Sequence, residues 1–264
     1  MNSNQEFVMI KEVPEHYQYD EAIRSLRTNL LFSGSNIKAV MFTSAMPDEG
    51  KSSVSFSLAR EMARIGKRTV LVDADIRKSV MRSRYLMSFV PKGLSQYLSG
   101  QCRLDQIVYK TEANNLSVIF AGPYSPNPLE LLEEELFGQM FETLRQEYDY
   151  IVVDTPPMAG MSDGSVVAKH CDGVVLVVES GAISYHLEQK VKTTLERTGG
   201  RILGVVLNKV DLRNQRYYGK YGKYGKYAKY DYGYGYGPKK ERRKRRKKTA
   251  KAAVDETGFE KVNL

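Results

Sequence analysis

The sequence predicts an α/β fold built on a mostly parallel, doubly wound sheet. Short apolar runs rich in Val, Ile and Leu alternate with segments whose apolar residues recur at helical spacing. This alternation is typical of parallel strands joined by right-handed crossovers, with helices on both faces of the sheet. One of the runs leads through a turn into a helix that opens with Gly-Lys-Ser, which is the arrangement of a phosphate-binding loop.

The candidate phosphate-binding loop lies in the stretch KAVMFTSAMPDEGKSS, from Lys38 to Ser53. Its spacing fits GxxxxGK[ST], with Ala45 at the position of the first glycine. In this pattern backbone N–H groups surround the phosphates, the lysine reaches the β and γ oxygens, and the hydroxyl binds Mg²⁺. An ordinary strand-turn-helix connection is the alternative. The residues predicted to contact a nucleotide are Ala45, Met46, Pro47, Asp48, Glu49, Gly50, Lys51, Ser52 and Ser53.

Two of the predicted strands end in acidic residues. The run from Val70 continues into Asp73 and Asp75, and the run from Tyr150 ends at Asp154. Parallel strands deliver their carboxyl ends to the ligand crevice of an open sheet. A buried acid at such a strand end is costly without a cation or a donor. The pattern therefore favours acids at a metal and phosphate site over solvated loop acids.

The last predicted strand, residues 202–207, ends in Asn208-Lys209-Val210-Asp211. This segment fits NKxD, a base-recognition pattern of guanine-nucleotide proteins, and taken alone it argues for GTP. Two other roles stay open for Asn208, which could bind adenine or only cap the strand.

A predicted amphipathic helix, residues 19–32, precedes the loop. Its apolar residues recur at helical spacing, and its other side carries Glu21, Arg24 and Arg27. One interpretation is a solvated charged face, stabilised by an i,i+3 pair worth a few tenths of a kcal/mol, on the order of other exposed helix pairs. The other is a helix that mediates contact between subunits.

The remaining elements follow from periodicity and turn residues. We expect a helix from Ser53 to Ile65 that ends at Gly66, short helices within residues 78–115 including one at 93–98, and a strand at 116–120. One helix should run from the Pro-rich turn to about Glu147, followed by a helix at 162–170, a strand at 173–178 and a helix at 184–198. The predicted domains are an N-terminal segment with the interface helix (1–36), a nucleotide-binding domain (37–212), a tyrosine-rich flexible tail (213–237) and a basic, polar tail (238–264).

The net charge of +9 is distributed unevenly along the 264 residues. Residues 213–264 hold 17 Lys and Arg against 5 Asp and Glu, a net charge of +12, whereas residues 1–212 hold 23 against 26, a net charge of −3. An acidic body with a basic tail suggests that the tail tethers or recruits.

Tyrosine is concentrated at the start of this tail, among Gly and Lys with no aliphatic residues to form a core. Such a segment is expected to be flexible. An adhesive low-complexity tail, a nucleic-acid stacking segment and an accidental repeat are three interpretations. The fourth is a row of phosphate acceptors, which would be Tyr217, Tyr218, Tyr221, Tyr224, Tyr227, Tyr230, Tyr232, Tyr234 and Tyr236.

The composition limits the cellular compartments in which the protein is expected. No apolar run approaches the length of a membrane span, and the N-terminus lacks the regions of a secretory signal. Cys102 and Cys171 lie far apart without companions at metal-ligand spacing. These features predict a cytoplasmic protein with reduced thiols.

Together, the loop, the segments VLVDADIR and IVVDTPP, the ExxRxxR helix and the tyrosine-rich tail resemble the bacterial tyrosine kinases (BY-kinases) of capsule and exopolysaccharide synthesis. The resemblance covers about residues 15–237 and is to the Gram-positive arrangement, in which the kinase is separate from its transmembrane activator. It implies an ATP-dependent protein-tyrosine autokinase that phosphorylates its tail and regulates polysaccharide synthesis and chain length. Related partitioning and division-site ATPases usually carry a lysine where this chain has Met46.

The resemblance also implies roles for single residues. Lys51 would contact the phosphates, and Asp73, Asp75 and Asp154 would complete the catalytic set, with Asp75 preferred over Asp73 as the acid beside the attacking tyrosine hydroxyl. The Mg²⁺ ligands would be Ser52, Asp75 and Asp154, and Asn208 would lie at the nucleotide. Glu21, Arg24 and Arg27 would join subunits.

The partners implied are a transmembrane polysaccharide co-polymerase that activates the kinase and recruits it to the inner face of the membrane, other copies in a ring, and a cognate tyrosine phosphatase. An anionic membrane surface could also bind the tail, and nucleic acid is not expected. Two other functions stay open: a membrane-surface ATPase switch without kinase activity, and a nucleic-acid-associated NTPase.

Overall fold

The fold is taken from a computed structural model that describes residues 7–11, 17–182 and 184–211. The tail predictions, including all nine candidate acceptor tyrosines, lie outside the described residues. In this part of the chain nine strands form one sheet. They are β1 (Phe7–Ile10), β2 (Ala39–Ser44), β3 (Thr69–Asp73), β4 (Tyr85–Leu86), β5 (Val108–Thr111), β6 (Leu116–Ile119), β7 (Tyr150–Asp154), β8 (Gly173–Glu179) and β9 (Ile202–Asn208).

The strand order is β4-β1-β5-β6-β3-β7-β2-β8-β9. From β6 to β9 all six neighbouring strands are parallel. Antiparallel pairs occur where β5 meets β6 and where β4 meets β1. The predicted mostly parallel α/β sheet is therefore confirmed.

Helices cover both faces of this sheet. They are α1 (Tyr17–Phe32), α2 (Lys51–Arg64), α3 (Leu94–Leu98), α4 (Pro128–Glu133), α5 (Glu135–Glu147), α6 (Asp163–Ala168) and α7 (Tyr185–Arg197), with 3₁₀ turns at Met81–Arg84 and Leu104–Gln106. The side chains of alternate residues in each central strand pack into two different hydrophobic cores, one on each face of the sheet. In β3, Val70 and Val72 pack with α3, α5, α6 and α7, whereas Leu71 packs with α1 and α2.

Buried apolar runs explain why the central strands were predictable. Every residue of β2 and β3 is buried, as expected for strands covered on both faces. The helix that follows β2 ends where the sequence predicted, because Gly66 adopts a left-handed φ of 83°. Its N–H donates to the Ala63 carbonyl, and the N–H of Lys67 donates to the Met62 carbonyl. This pairing is the usual glycine-dependent end of a helix.

The helix expected to run unbroken to about Glu147 is instead two helices. Glu134 has an extended backbone (φ −64°, ψ 145°) between α4 and α5. In one continuous helix Leu132 and Phe137, five positions apart, would point about 140° away from each other. The break allows both side chains to enter the same core.

Three strands were not predicted. The strand β1 is an apolar run of only four residues, FVMI, inside an otherwise polar segment, and β4 is two residues long. The strand β1 pairs with β5, about a hundred residues further along the chain. A short segment that pairs with a distant partner carries no periodic pattern of its own. Tertiary contacts therefore determine that these segments form strands.

Candidate nucleotide-binding site

The loop from Ala45 to Gly50 leaves the carboxyl end of β2 and enters α2 at Lys51. Gly50 has a φ of 92°, and a Cβ atom placed on it would lie 2.1 Å from Nδ2 of Asn208. Only glycine satisfies both the left-handed backbone and this close approach. The loop is therefore built as the sequence predicted, and Ala45 is buried beneath it.

Glu49 braces the loop from inside. Its side chain is 1% exposed, and its Oε1 accepts a hydrogen bond of 2.6 Å from the N–H of Met46. Its Oε2 accepts one of 2.9 Å from the N–H of Glu179 at the end of β8. The carboxylate thus closes the loop on itself and joins it to the neighbouring strand. Pro47 and Asp48, by contrast, are exposed.

Asn208 supports the same loop from β9. Its Nδ2 donates to the Glu49 carbonyl over 2.9 Å, immediately before Gly50. Lys209 is also engaged within the chain, because its Nζ lies 2.8 Å from Oε2 of Glu179. Two residues of the NKxD segment therefore hold the strand ends and the loop together.

The predicted acids come together next to the loop. Asp73 and Asp154 are directly paired in the register of β3 and β7. Oδ1 of Asp73 accepts from the N–H of Asp75 over 3.2 Å, and Oδ2 accepts from the Ser79 hydroxyl. Both oxygens of Asp73 are therefore occupied within the chain, and its side chain is fully buried.

Asp75 and Asp154 face the first turn of α2. Nζ of Lys51 lies 4.0 Å from Oδ2 of Asp75, while Oδ1 of Asp75 accepts from the N–H of Lys78 over 2.9 Å. Asp154 has a hydrogen bond with the Ser52 hydroxyl. Its Oδ1, however, is buried and has no hydrogen-bond partner in the part of the chain that the structure describes. An unpaired carboxylate oxygen in this position is costly unless a cation completes it.

Burial also changes the protonation of the paired acids. It raises the pKa of Asp73 to about 8, and the nearby Asp154 carboxylate adds to this effect. Burial likewise raises the pKa of Asp154 to about 6, although Lys51 and the Ser52 hydrogen bond oppose the increase. Both raised pKa values mean that the neighbouring positive charges and hydrogen-bond donors do not fully stabilise the two buried carboxylates.

The donor set fits Mg²⁺. The Ser52 hydroxyl and the carboxylates of Asp75 and Asp154 are hard oxygen ligands at one edge of the sheet, and Asp154 offers an unpartnered oxygen. Within residues 7–11, 17–182 and 184–211 no three acidic, His or Cys side chains converge on a metal-binding cluster.

No prediction from the sequence covered two arginines beside the site, Arg77 and Arg84. The guanidinium of Arg77 binds both carboxylate oxygens of Asp163, which is 1% exposed, with Nη2 to Oδ1 at 2.9 Å. Arg77 lies two residues after Asp75, so its position in DADIR was a usable signal. Arg84 donates to the Ser53 hydroxyl over 2.6 Å, and no local pattern marks it.

The three residues predicted for subunit contact separate into two groups. Arg24 pairs with Glu21 at 3.0 Å on the exposed side of α1. Arg27 instead reaches Glu61 of α2 at 3.1 Å, with 21% and 11% of the two side chains exposed. Tyr19 also joins these helices, donating to the Ser53 carbonyl at 3.3 Å or the Ser57 hydroxyl at 3.2 Å. Arg27 therefore docks α1 onto the helix that carries Lys51.

Comparison with known proteins identifies the family. An AAA domain family model matches residues 46–198. The chain is 41% identical over 192 residues to the tyrosine-protein kinase CpsD of Streptococcus agalactiae, which covers 73% of this chain and 84% of that protein. The chain belongs to the bacterial tyrosine kinases.

Two solved structures agree with this assignment. The kinase domain of the Escherichia coli tyrosine kinase ETK superposes with a TM-score of 0.71 at 34% identity, covering 74% of this chain and 76% of that one. The chimerical protein CapA2B2 superposes with a TM-score of 0.70 at 31% identity, covering 76% and 92%. The chain is thus a protein-tyrosine kinase, and its fold is the α/β fold of nucleotide-binding proteins. Among its described residues, no helix has the length and apolar character of a membrane span.

The contact of Asn208 yields a test of base recognition. Replacement by Ala removes the hydrogen bond to the Glu49 carbonyl, so we expect Asn208→Ala to weaken ATP and GTP binding by the same factor, about 3- to 10-fold for one lost hydrogen bond. Titration calorimetry with both nucleotides measures this ratio. Asn114→Ala, on a distant surface turn, is the control. A change in the ratio of ATP to GTP affinity would show that Asn208 reads the base.

The half-buried Glu188 of α7 yields a pH test. Both of its carboxylate oxygens are shielded from solvent and have no hydrogen-bond partner among the described residues. Burial raises its pKa to about 7, and the carboxylate of Glu49 contributes. Since this pKa is higher in the folded state than in the unfolded state, ionisation of Glu188 destabilises the fold as pH rises from about 4.5 to 7.

Glu188→Gln should therefore raise the melting temperature most at pH 8 and least at pH 5. Thermal unfolding of both proteins without nucleotide, at pH 5, 6, 7 and 8, measures the difference. Glu196→Gln provides a control on the same helix, because Glu196 is exposed and pairs with Lys192 at 3.7 Å. A difference that does not grow with pH would contradict the assignment.

Proposed function

We propose that this bacterial tyrosine kinase is an ATP-dependent autokinase that phosphorylates its own C-terminal tyrosine cluster and thereby regulates capsular or exopolysaccharide synthesis and chain length. The observation that supports it best is the buried Oδ1 of Asp154, which has no partner in the described chain and lies beside Ser52 and Lys51. A phosphoryl-transfer site needs such an incomplete anionic position, which Mg²⁺ completes.

The loop, the first turn of α2 and the strand-end acids share the work in this proposal. The loop braced by Glu49 presents its N–H groups to the phosphates, and Lys51 holds the β and γ oxygens. Ser52, Asp75 and Asp154 would hold Mg²⁺, which when bound neutralises charge on the transferring phosphoryl group. Arg77, held by the buried Asp163, keeps the segment after Asp75 in position.

Asp75 is the better candidate to accept the proton of the attacking tyrosine hydroxyl. Both oxygens of Asp73 already accept hydrogen bonds within the chain, whereas Oδ2 of Asp75 faces Lys51 and the side chain is 7% exposed. A free tyrosine has a pKa near 10, so an acceptor at its hydroxyl assists the transfer. We assign Asp73 to orienting the backbone of Asp75.

ATP is proposed as the donor in spite of the NKxD segment. Asn208 and Lys209 are engaged with Glu49 and Glu179, which gives both residues a task that does not involve guanine. The relatives and solved structures named above are tyrosine kinases, a class that uses ATP.

The proposed location follows from the proposed partner. We infer that this kinase works with a transmembrane co-polymerase that activates it, because bacterial tyrosine kinases, the family to which the chain belongs, work with such partners. Such a partner would hold a cytoplasmic kinase at the inner face of the membrane. The +12 tail would add attraction to anionic lipid, and a cognate phosphatase would reset the tyrosines.

Substitution of Lys51 tests the kinase assignment directly. We expect Lys51→Met to lower phosphotyrosine formation by about 100-fold or more, since it removes the positive charge at the transferring phosphate. Purified protein is incubated with Mg²⁺-ATP and a fragment of the activator, and phosphotyrosine is mapped by mass spectrometry. Lys67→Met, an exposed lysine beyond the other end of α2, serves as the matched control and should remain active.

The same experiment separates the alternatives. Labelling should concentrate on the nine tyrosines from Tyr217 to Tyr236. Hydrolysis of ATP that depends on Lys51 without any phosphotyrosine would instead support an ATPase switch. Equal labelling of wild-type and Lys51→Met protein would refute the assignment of the loop.

The geometry of α1 refines the proposal that Glu21, Arg24 and Arg27 join subunits. Because Arg27 is tied to Glu61 within the chain, the exposed pair of Glu21 and Arg24 is the part free to contact another copy. We expect Arg24→Ala to lower the assembled mass without changing the melting temperature, and Arg27→Ala to lower both.

Light scattering and thermal unfolding measure these two effects. Arg103→Ala breaks an exposed ion pair with Asp105 elsewhere on the surface and should change neither. An unchanged mass for Arg24→Ala would favour a solvated charged face on α1.

A further inference from the structure

Arg84 occupies an unusual position at the end of the 3₁₀ turn Met81–Arg84. Its Nη2 donates to the hydroxyl of Ser53 over 2.6 Å, so the side chain reaches the third residue of α2. Its guanidinium carbon lies 5.4 Å from the centre of the Phe56 ring. Its Nε is shielded from solvent and has no hydrogen-bond partner within residues 7–11, 17–182 and 184–211. The described residues therefore satisfy only part of the hydrogen-bonding capacity of Arg84.

Arg84 brings its positive charge to the first turn of α2, where its guanidinium bonds to the Ser53 hydroxyl. The N-terminus of α2 already favours anions through its free N–H groups and its dipole. Arg84 adds a second full positive charge there, besides Lys51.

Ser53 is held so that its proton stays available. Its hydroxyl oxygen accepts from Arg84, its N–H donates to the Gly50 carbonyl, and Tyr19 lies within bonding distance of its carbonyl. A hydroxyl that accepts from a guanidinium can still donate its own hydrogen, and a charged donor polarises that hydrogen. The fixed Ser53 hydroxyl is thus a donor directed by Arg84.

We propose that Arg84 is a positioning residue for the nucleotide, which acts through Ser53 to bind the α- or β-phosphate. This inference rests on the proposed function of the loop as an ATP site. Lys51 serves the β and γ oxygens and Ser52 the metal, so Ser53, one residue further along the helix, is left for the inner phosphates. The contribution of Arg84 therefore applies to ADP as well as to ATP.

A purely structural role for Arg84 makes different predictions. Its stacking on Phe56 is shared by Arg60, whose guanidinium carbon lies 5.7 Å from the same ring but which is not bonded to Ser53. Arg82 is exposed on the same 3₁₀ turn as Arg84. Arg60→Gln thus controls for the stacking, and Arg82→Gln controls for the loss of one positive charge from the turn.

The test is titration calorimetry of the full chain with Mg²⁺-ATP and with Mg²⁺-ADP. We expect Arg84→Gln and Ser53→Ala each to raise the dissociation constant for both nucleotides by about 10-fold, the effect of one lost charge-assisted hydrogen bond. Because the two residues act as one unit, the double variant should lose no more than about 10-fold as well. Arg84→Lys should recover part of the affinity, and both control variants should stay within about twofold of wild type.

The outcomes separate this inference from the proposed function. Loss of binding in Lys51→Met with unchanged binding in Arg84→Gln would overturn the role of Arg84 alone, as would additive losses in the double variant. Wild-type binding in Lys51→Met would overturn the nucleotide site itself. Should Arg84→Gln not fold, Ser53→Ala and Arg84→Lys decide the question, and wild-type affinity in both would refute the proposal.

Discussion

The hydrogen bond from Nδ2 of Asn208 to the Glu49 carbonyl joins the last strand of the sheet to the loop at its centre. A phosphate-binding loop binds its ligand through backbone N–H groups, so other parts of the protein must fix the conformation of its backbone. Here that conformation depends on Asn208 on one side and on the buried carboxylate of Glu49 on the other. Gly50 is then the residue whose missing side chain leaves room for both the turn and the Asn208 amide.

This bracing explains why catalytic chemistry can be concentrated in a few residues. Phosphoryl transfer demands positioned charges more than covalent participation by the protein. The sheet brings Asp73 and Asp154 into register, and the first turn of α2 faces them with Lys51 and Ser52. The two strands and one helix hold these groups together, and within the described residues one carboxylate oxygen of Asp154 stays without a hydrogen-bond partner.

The same helix connects the site to the surface of the protein. Arg27 of α1 bonds to Glu61 of α2, Tyr19 lies at bonding distance from Ser53 and Ser57, and Arg84 bonds to Ser53. The helix carrying the phosphate-binding residues is thus contacted by the α1 helix and by the segment after the DxD acids.

The sequence alone determined the alternation of strands and helices, the loop with Lys51 and Ser52, and the strand-end acids, because each is a local pattern of burial or spacing. The tertiary structure determined the features that depend on contacts between distant parts of the chain. The strand β1 forms by pairing with β5, about a hundred residues away. Glu134 breaks a helix so that two side chains reach one core. Asn208 supports the loop through the Glu49 carbonyl, and Arg27 pairs with Glu61 of α2. Each of these depends on the partner brought near by the fold, and no local pattern records a partner that is distant in the chain.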